Sequence, residues 1–190
     1  MNTAENKTEG FPKVAGFPGV KDGETFQIAG IEFIKFPDRN GGTPVLARNV
    51  AFRSRFGDNN DLRASDVLKE LQEEFLPKIV AAIGEENVLS FQTDLTALDG
   101  LKPYGVMESK ISLHTMDFYR EHVEIFDKYP VRDYCWTATP ESAKPHDKPY
   151  WVVCVSPSGC VNNYYCYDYY DFGVRPFLIL KSSIFESSEK

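Results

Sequence analysis

The sequence lacks any long run of apolar residues. Residues 1–10 are polar and acidic, and no apolar stretch follows them. A secretory signal needs an apolar region of about 7–15 residues, and a membrane-spanning helix needs about 20. We therefore expect no signal peptide and no membrane insertion, with synthesis in the cytoplasm.

Positive charge is also scarce. The chain has 21 Lys and Arg against 28 Asp and Glu, for a formal net charge of -7. Nucleic acids and anionic membranes attract local patches of Lys and Arg. The sequence shows no such patch, so we expect no nucleic-acid partner.

Cysteine and histidine are few and poorly placed for a metal site. The four cysteines, Cys135, Cys154, Cys160 and Cys166, all lie in the C-terminal third, and the three histidines are scattered. A secreted disulfide framework usually spreads its cysteines through a shorter chain, and a zinc site usually has a Cys-x-x-Cys pair or a neighbouring His. We expect free thiols, no metal and no cofactor.

Motifs for catalysis are missing as well. No histidine neighbours a Ser or Cys in a nucleophile motif, and Gly41-Gly42 lacks the rest of a phosphate-binding loop. His122 lies between Glu121 and Glu124 in a predicted helix, where it is expected to face solvent. The sequence therefore favours a protein that is not an enzyme.

What is present fits a single domain, because 190 residues is a common domain length. Residues 1–24 are rich in Gly and Pro and are predicted to form an N-terminal arm, followed by one domain over residues 25–186. Thr25 to Phe36 predicts two short strands with a turn near Gly30, and Val45 to Phe52 predicts a further strand.

Two helical segments are predicted in the middle of the chain. The polar run 58–61 provides N-cap chemistry for a helix starting near Leu62, and Pro77 predicts a break before a second short helix that ends near Gly84. Thr115 is the expected cap of a helix over residues 116–126. Its predicted apolar stripe consists of Met116, Tyr119, Val123 and Phe126.

The C-terminal part returns to strands. Residues 150–155 and the stretch from Cys160 onward predict a hairpin joined by the turn 156–159, and residues 177–180 predict a final strand. The expected fold class is α+β, with a sheet built from both ends of the chain and two main helical segments. The predicted apolar framework comprises Phe33, Leu68, Leu71, Phe75, Phe126, Trp151, Val153 and Leu178.

Residues 162–172 hold five of the ten tyrosines of the protein. Both faces of a strand with this sequence would carry polar-tipped side chains, which is unlike a core strand. Tyr offers a large, rigid contact area, while Asn and Asp add adaptable hydrogen bonds, as in antibody paratopes. The alternative is a tyrosine-rich edge strand or loop that packs partly on the domain. The predicted ligand-binding residues are Asn162, Asn163, Tyr164, Tyr165, Cys166, Tyr167, Asp168, Tyr169, Tyr170 and Asp171.

Three motifs carry a resemblance to a known family. Gly173-Val174-Arg175-Pro176 precedes an apolar strand, a Ser-x-Gly-x-Val turn occupies residues 156–161, and a Trp-x-x-x-Pro element occupies residues 136–140. Together they resemble a bacterial and phage C-type-lectin-like domain, in the branch that also contains formylglycine-generating enzymes. The resemblance implies a C-type-lectin-like fold with mixed and antiparallel sheets and a variable region near 134–176.

Members of this branch include the variable proteins of diversity-generating retroelements, in which careless copying of template adenines turns Asn codons into a restricted set of others. Every residue from Asn162 to Phe172 is Asn, Tyr, Asp, Cys or Phe, all of which belong to that set. The resemblance implies a receptor-like protein that binds a protein or glycan ligand, and it leaves open display on a phage virion or a cell. The segment 136–140 lacks the Arg that the family usually shows there, so the first variable stretch or its support differs.

The resemblance also implies individual roles and one alternative function. Gly173 would make a tight turn, Arg175 would be a buried or half-buried tie to the scaffold, and Pro176 would start the final strand. The alternative is a redox or oxygen-using enzyme of the formylglycine-generating branch that uses Cys154 and Cys160. The neighbouring valines favour a raised thiol pKa and an inert cysteine instead.

Overall fold

The computed structural model describes Val14 and residues 16–39, 41–144, 150–167 and 172–187. The helices are α1 (Asp66–Glu70), α2 (Leu76–Ile83), α3 (Met116–Glu121) and α4 (Val123–Lys128). The strands are β1 (Thr25–Ile28), β2 (Ile31–Lys35), β3 (Gly42–Ala47), β4 (Phe52–Ser54), β5 (Val88–Leu89), β6 (Phe91–Asp94), β7 (Val106–Ser109), β8 (Cys135–Pro140), β9 (Trp151–Val155), β10 (Val161–Tyr165), β11 (Phe172–Val174) and β12 (Phe177–Lys181). The predicted α+β class is confirmed.

The first sheet joins the two ends of the chain, as the sequence predicts. Its strand order is β1-β2-β3-β12-β5, and every pair in it is antiparallel. Ala29 and Gly30 connect β1 to β2 with φ of 50° and 78°. A two-residue turn with two positive φ values matches the twist of the flanking strands, which explains the glycine at this position.

The second sheet has the order β10-β9-β8-β11-β4. Its strands are antiparallel except for β8 and β11, which run parallel through the pair Gly173 and Cys135. The single strand predicted over 45–52 is wrong, because β3 ends in the first sheet at Ala47 and β4 begins in the second sheet at Phe52. This stretch therefore crosses from one sheet to the other.

The first helical segment differs from the prediction in its start and at Pro77. The Asp61 side chain caps a 3-10 turn at Leu62–Ala64, and α1 begins only at Asp66 with Ser65 as its cap. Between α1 and α2 the chain forms a π-helical turn over Leu71–Phe75, and Pro77 lies in the first turn of α2. Proline clashes with the carbonyl four residues earlier in a regular helix. The wider π turn accommodates the ring, so the helix is distorted and not broken.

The second helical segment is two helices. Thr115 caps α3 as predicted, with its side chain accepting from the amide of Phe118, but His122 interrupts the helix with φ of -127°. The turn at His122 shifts the phase of the apolar stripe. Val123 is therefore exposed, and Phe118 is buried in its place.

Buried core residues are spread along the chain between positions 26 and 185. They pack against both faces of the second sheet. The described part of the predicted arm is packed against it: Phe17 stacks on Phe26, and the Phe17 amide donates to the carbonyl of Ile184. Within the described residues, no helix is long and apolar enough to cross a membrane.

Candidate functional site

The strand that contains the first predicted site residues lies at an edge. Among the described residues, β10 pairs only with β9, whose residues Val152, Val153 and Cys154 are fully buried. The tyrosine-rich strand is thus attached along one side to a rigid, buried strand. No strand among the described residues pairs with its other side.

The turn that leads into β10 fixes its position. Gly159 has φ of 78°, and the Ser156 amide donates to the carbonyl of Cys160 at 2.9 Å. The Ser156 hydroxyl accepts from the Cys160 amide at 3.1 Å. These bonds close the predicted hairpin and set the register in which Asn162 faces Cys154 and Tyr164 faces Val152.

Tyr164 packs against the body of the protein. Its ring lies 4.8 Å from Phe172 and 5.4 Å from Tyr134, measured between ring centroids, and it contacts the main core. Tyr164 therefore supports the strand, which is what the alternative interpretation of this segment predicts for it. The ring is half-buried, so part of it remains accessible.

Tyr165 and Tyr167 instead form an aromatic cluster with two residues that the sequence analysis did not assign to the site. Tyr165 stacks on Trp151 at a centroid distance of 3.9 Å, and Tyr167 lies 5.4 Å from Tyr165 and 5.0 Å from Tyr150. Tyr167 is 44% exposed, and the other three rings are half-buried. We call Tyr150, Trp151, Tyr165 and Tyr167 the aromatic surface.

Trp151 had been predicted to belong to the apolar framework. It lies at the start of β9, directly opposite Tyr165 on the edge strand, and it is half-buried. The useful signal in the sequence was the pair Tyr150-Trp151 at the beginning of a strand. Aromatic residues that combine an apolar body with a polar tip are common at interfaces.

A buried amide holds the backbone beneath the aromatic surface. Asn60 is 1% exposed, and its side chain donates to the carbonyls of Trp151 at 2.9 Å and Ser142 at 2.8 Å. The Tyr104 hydroxyl donates to Asn60 Oδ1 at 2.8 Å. The aromatic surface therefore rests on a fully hydrogen-bonded support, which limits its motion.

The two asparagines of β10 add polar groups beside the rings. Asn162 is exposed and donates to the carbonyl of Cys160 at 3.2 Å. Asn163 is half-buried, and its side chain donates to the carboxylate of Glu141. The backbone amide of Glu141 donates to the carbonyl of Trp151. Side chains alternate along a strand, so Asn163 shares a face of β10 with Tyr165, whereas Asn162 lies on the other face.

Cys166 is placed differently from its prediction. Its side chain is fully buried, and burial raises the pKa of its thiol to about 11. Its backbone amide donates to Tyr150, and its carbonyl accepts from the amides of Phe56 and Gly57. Cys166 anchors the end of the strand and does not display its side chain. The remaining predicted site residues, Asp168, Tyr169, Tyr170 and Asp171, lie outside the described residues.

The Gly-Val-Arg-Pro motif lies in β11 and just before β12. Arg175 is 4% exposed, as the resemblance implies, and its Nε donates to the carbonyl of Ala47 at 2.7 Å. Gly173 does not make a tight turn, since it lies inside β11 and has no positive φ. A Cβ at Gly173 would meet Val50 Cγ2 at 2.5 Å, so close packing and not turn geometry demands glycine here.

The described cysteines and histidines differ in their exposure. Cys154 is buried, and desolvation raises the pKa of its thiol to about 12, whereas Cys160 is exposed. His122 is half-buried against Phe36 and Phe118, so the prediction that it faces solvent is wrong. Within the described residues, no cluster of three or more His, Cys, Asp or Glu is arranged to hold a metal ion.

A wider groove lies elsewhere on the protein. A groove of about 920 Å³ runs between the β6–β7 hairpin and α3, and Phe91 and Phe177 lie on its floor. Its arginines are already paired, Arg39 with Glu121 and Arg120 with Asp117. The groove is also lined by Asp94, which accepts hydrogen bonds from Thr96, and it is separate from the aromatic surface.

Comparison with known proteins gave no relative: no family model, no curated protein and no solved structure matches this chain.

Proposed function

We propose that this protein is a receptor-like binder that recognises a protein or glycan ligand through the aromatic surface and the flanking Asn162 and Asn163. The observation that carries the proposal is the cluster of ring contacts that joins Tyr165 and Tyr167 to Trp151 and Tyr150 beside the edge strand β10. Tyr and Trp bring large contact areas to an interface at a small entropic cost.

The rigidity of the support favours recognition over mere packing. The strand beside β10 is buried on both faces, and the Asn60 network fixes the backbone under Trp151. Pre-ordered side chains lose little conformational freedom on association, and that loss is a main cost of binding. The aromatic surface therefore has the properties of a preformed contact site.

We further propose that the protein is a variable protein of a diversity-generating retroelement with a C-type-lectin-like fold. The restricted alphabet of residues 162–172 supports this assignment, as does the pairing of strands from both ends of the chain in one sheet. In such a protein, the positions that vary must not be ones that the folded core requires. Asn162, Asn163, Tyr165 and Tyr167 meet that condition, because none of them is fully buried.

A paired library experiment tests this function. One displayed library varies Asn162, Asn163, Tyr165 and Tyr167 among Asn, Tyr, Asp and Ser. The control library applies the same alphabet to four exposed residues of the β6–β7 hairpin: Gln92, Asp94, Val106 and Glu108. Both are selected against one set of immobilised proteins and glycans, with protease resistance as the measure of folding.

We expect the first library to give more binders than the control at an equal or higher folded fraction. Equal yields of binders, or a collapse of folding in the first library alone, would contradict the proposed function. Sequencing the DNA that flanks the gene tests the retroelement assignment separately. The retroelement assignment predicts that a reverse-transcriptase gene lies nearby, together with a near-copy of the 3′ coding region that differs at adenines.

A further inference from the structure

A second, smaller cavity lies at the opposite end of the β9–β10 hairpin from Tyr165. It has a volume of about 190 Å³ and lies under the turn Ser156–Gly159. Arg175, Tyr119 and Asp127 line it together with that turn. The Tyr119 hydroxyl donates to the carbonyl of Gly159 at 2.8 Å, which holds the turn over the cavity.

The guanidinium of Arg175 is buried, and no described residue forms an ion pair with it. Its Nη2 has no hydrogen-bond partner, and within the described part of the chain its one hydrogen bond joins Nε to the carbonyl of Ala47. None of the ion pairs among the described residues includes Arg175. A buried, unpaired charge costs several kcal/mol in general, and such groups normally have a partner.

The Phe126 ring lies 5.6 Å from the guanidinium carbon of Arg175, but no described neighbour supplies a negative charge to it. His114 is fully buried beside Phe126, and both of its ring nitrogens lack hydrogen bonds. Burial, together with the charge of Arg175, lowers the pKa of His114 to about 3, so the ring is neutral. The Cys135 thiol interacts with Arg175 but is itself protonated, because burial raises its pKa to about 11.

We propose that this cavity binds a small carboxylate through the guanidinium of Arg175. A guanidinium N–H forms a charge-assisted hydrogen bond with a carboxylate oxygen. Nε donates to Ala47 and Nη2 is fully enclosed, so Nη1 is the nitrogen left for the ligand. The exposed Asp127 also lines the cavity, so a second negative charge would be repelled and a monoanion is preferred over phosphate.

Thermal unfolding of the full chain with sodium acetate tests this site, using sodium chloride at equal ionic strength as the reference. A ligand that binds only the folded state raises Tm by mass action. At acetate concentrations far above the dissociation constant, we expect a saturable rise in Tm of about 5–10 °C. No rise in Tm would overturn the proposal and indicate that acetate does not bind the cavity. An equal rise with chloride would also overturn it, because the effect would then be common to any anion.

Two variants with a matched control locate the effect. Ser158→Tyr fills the mouth of the cavity, and Ser183→Tyr places the same ring at an exposed serine outside it. Acetate should stabilise the Ser183 variant as it does the wild type and should leave the Ser158 variant unchanged. Equal responses of the two variants would place the acetate elsewhere.

Asp127→Asn is the second test, and it keeps the interior intact. Removing the negative charge at the cavity should tighten acetate binding about two- to five-fold in isothermal titration, the size expected for one partly exposed charge. Weaker binding would mean that Asp127 attracts the ligand, which would overturn the assignment of a simple carboxylate.

Discussion

His114 is neutral in the folded protein because burial lowers its pKa from 6.5 to about 3. The unfolded chain exposes this ring and binds a proton near pH 6.5, so the unfolded state takes up more protons between these two values. The contribution of His114 to stability is therefore complete above pH 6.5 and is lost as the pH falls towards 3.

This linkage predicts the behaviour of His114→Phe, which keeps an aromatic ring beside Phe126 but cannot titrate. Between pH 6.5 and pH 5.0 the free energy of unfolding should fall less in the variant than in the wild type, by about 2 kcal/mol at about 1.4 kcal/mol per pH unit. Urea unfolding of both proteins at the two pH values gives this difference. Parallel pH profiles would show that His114 is solvated.

Gly173 is the other residue whose role depends on its surroundings. Its missing side chain leaves room for Val50 Cγ2, Cys135 Sγ and the carbonyl of Tyr134, which would lie 2.5, 3.2 and 3.3 Å from a Cβ. Gly173→Ala should lower the free energy of unfolding by about 1–3 kcal/mol through overpacking. An unchanged or higher urea midpoint would show that β11 moves freely away from β8.

At the scale of elements, the strand β10 divides its tyrosines between support and display. Tyr164 packs on Phe172 and Tyr134, whereas Tyr167 is 44% exposed beyond the end of the strand. Tyr164→Ser should destabilise the protein on the order of 2 kcal/mol, since it removes a packed ring. Tyr167→Ser should change stability by about 0.5 kcal/mol or less.

Thermal or urea unfolding of these two single variants checks that division. Similar losses for both would mean that Tyr167 is also part of the core and would weaken the binding interpretation. The sequence alone led us to group Tyr164 with the displayed residues. Alternation along a strand assigns faces only when the direction of the core is known, and the register against Val152 provides that direction.

The helices and turns show where local sequence was sufficient. Thr115 as a cap, Gly84 at a helix end and the hairpin turn at 156–159 were predicted correctly, because each depends on its own residue and the next few. The crossing of the chain between sheets after Ala47 was missed. That crossing depends on partners more than 100 residues away, such as Pro176, whose carbonyl accepts from the Ala47 amide.

At the scale of the whole molecule, the α+β class and the joining of both chain ends in one sheet followed from the order of strand and helix patterns. The set of residues that form the site was harder to predict from the sequence. Tyr150 and Trp151 reach Tyr165 and Tyr167 only through the β9–β10 pairing, and Asn60 reaches Trp151 from 91 positions away. A single sequence contains no direct signal for contacts of that range.

The two proposed binding sites lie in different parts of the fold. The aromatic surface lies at one end of the β9–β10 hairpin, and the cavity at Arg175 lies under the turn at the other end. The large groove beside α3 is a third region, formed by different strands. Substitutions in each region can therefore be compared within one folded protein.

An alanine scan of ligand binding tests the central claim most directly. Alanine replaces Trp151, Asn162, Asn163, Tyr165 and Tyr167 singly, and Gln92 and Arg120 in the large groove serve as controls. The affinity of each folded variant is measured by titration calorimetry against a ligand recovered with the full wild-type chain. The account predicts losses of about 2 kcal/mol or more for one or two of the aromatic residues, with near-neutral effects at the asparagines and the controls. Losses at Gln92 or Arg120 that equal those on the aromatic surface would contradict it.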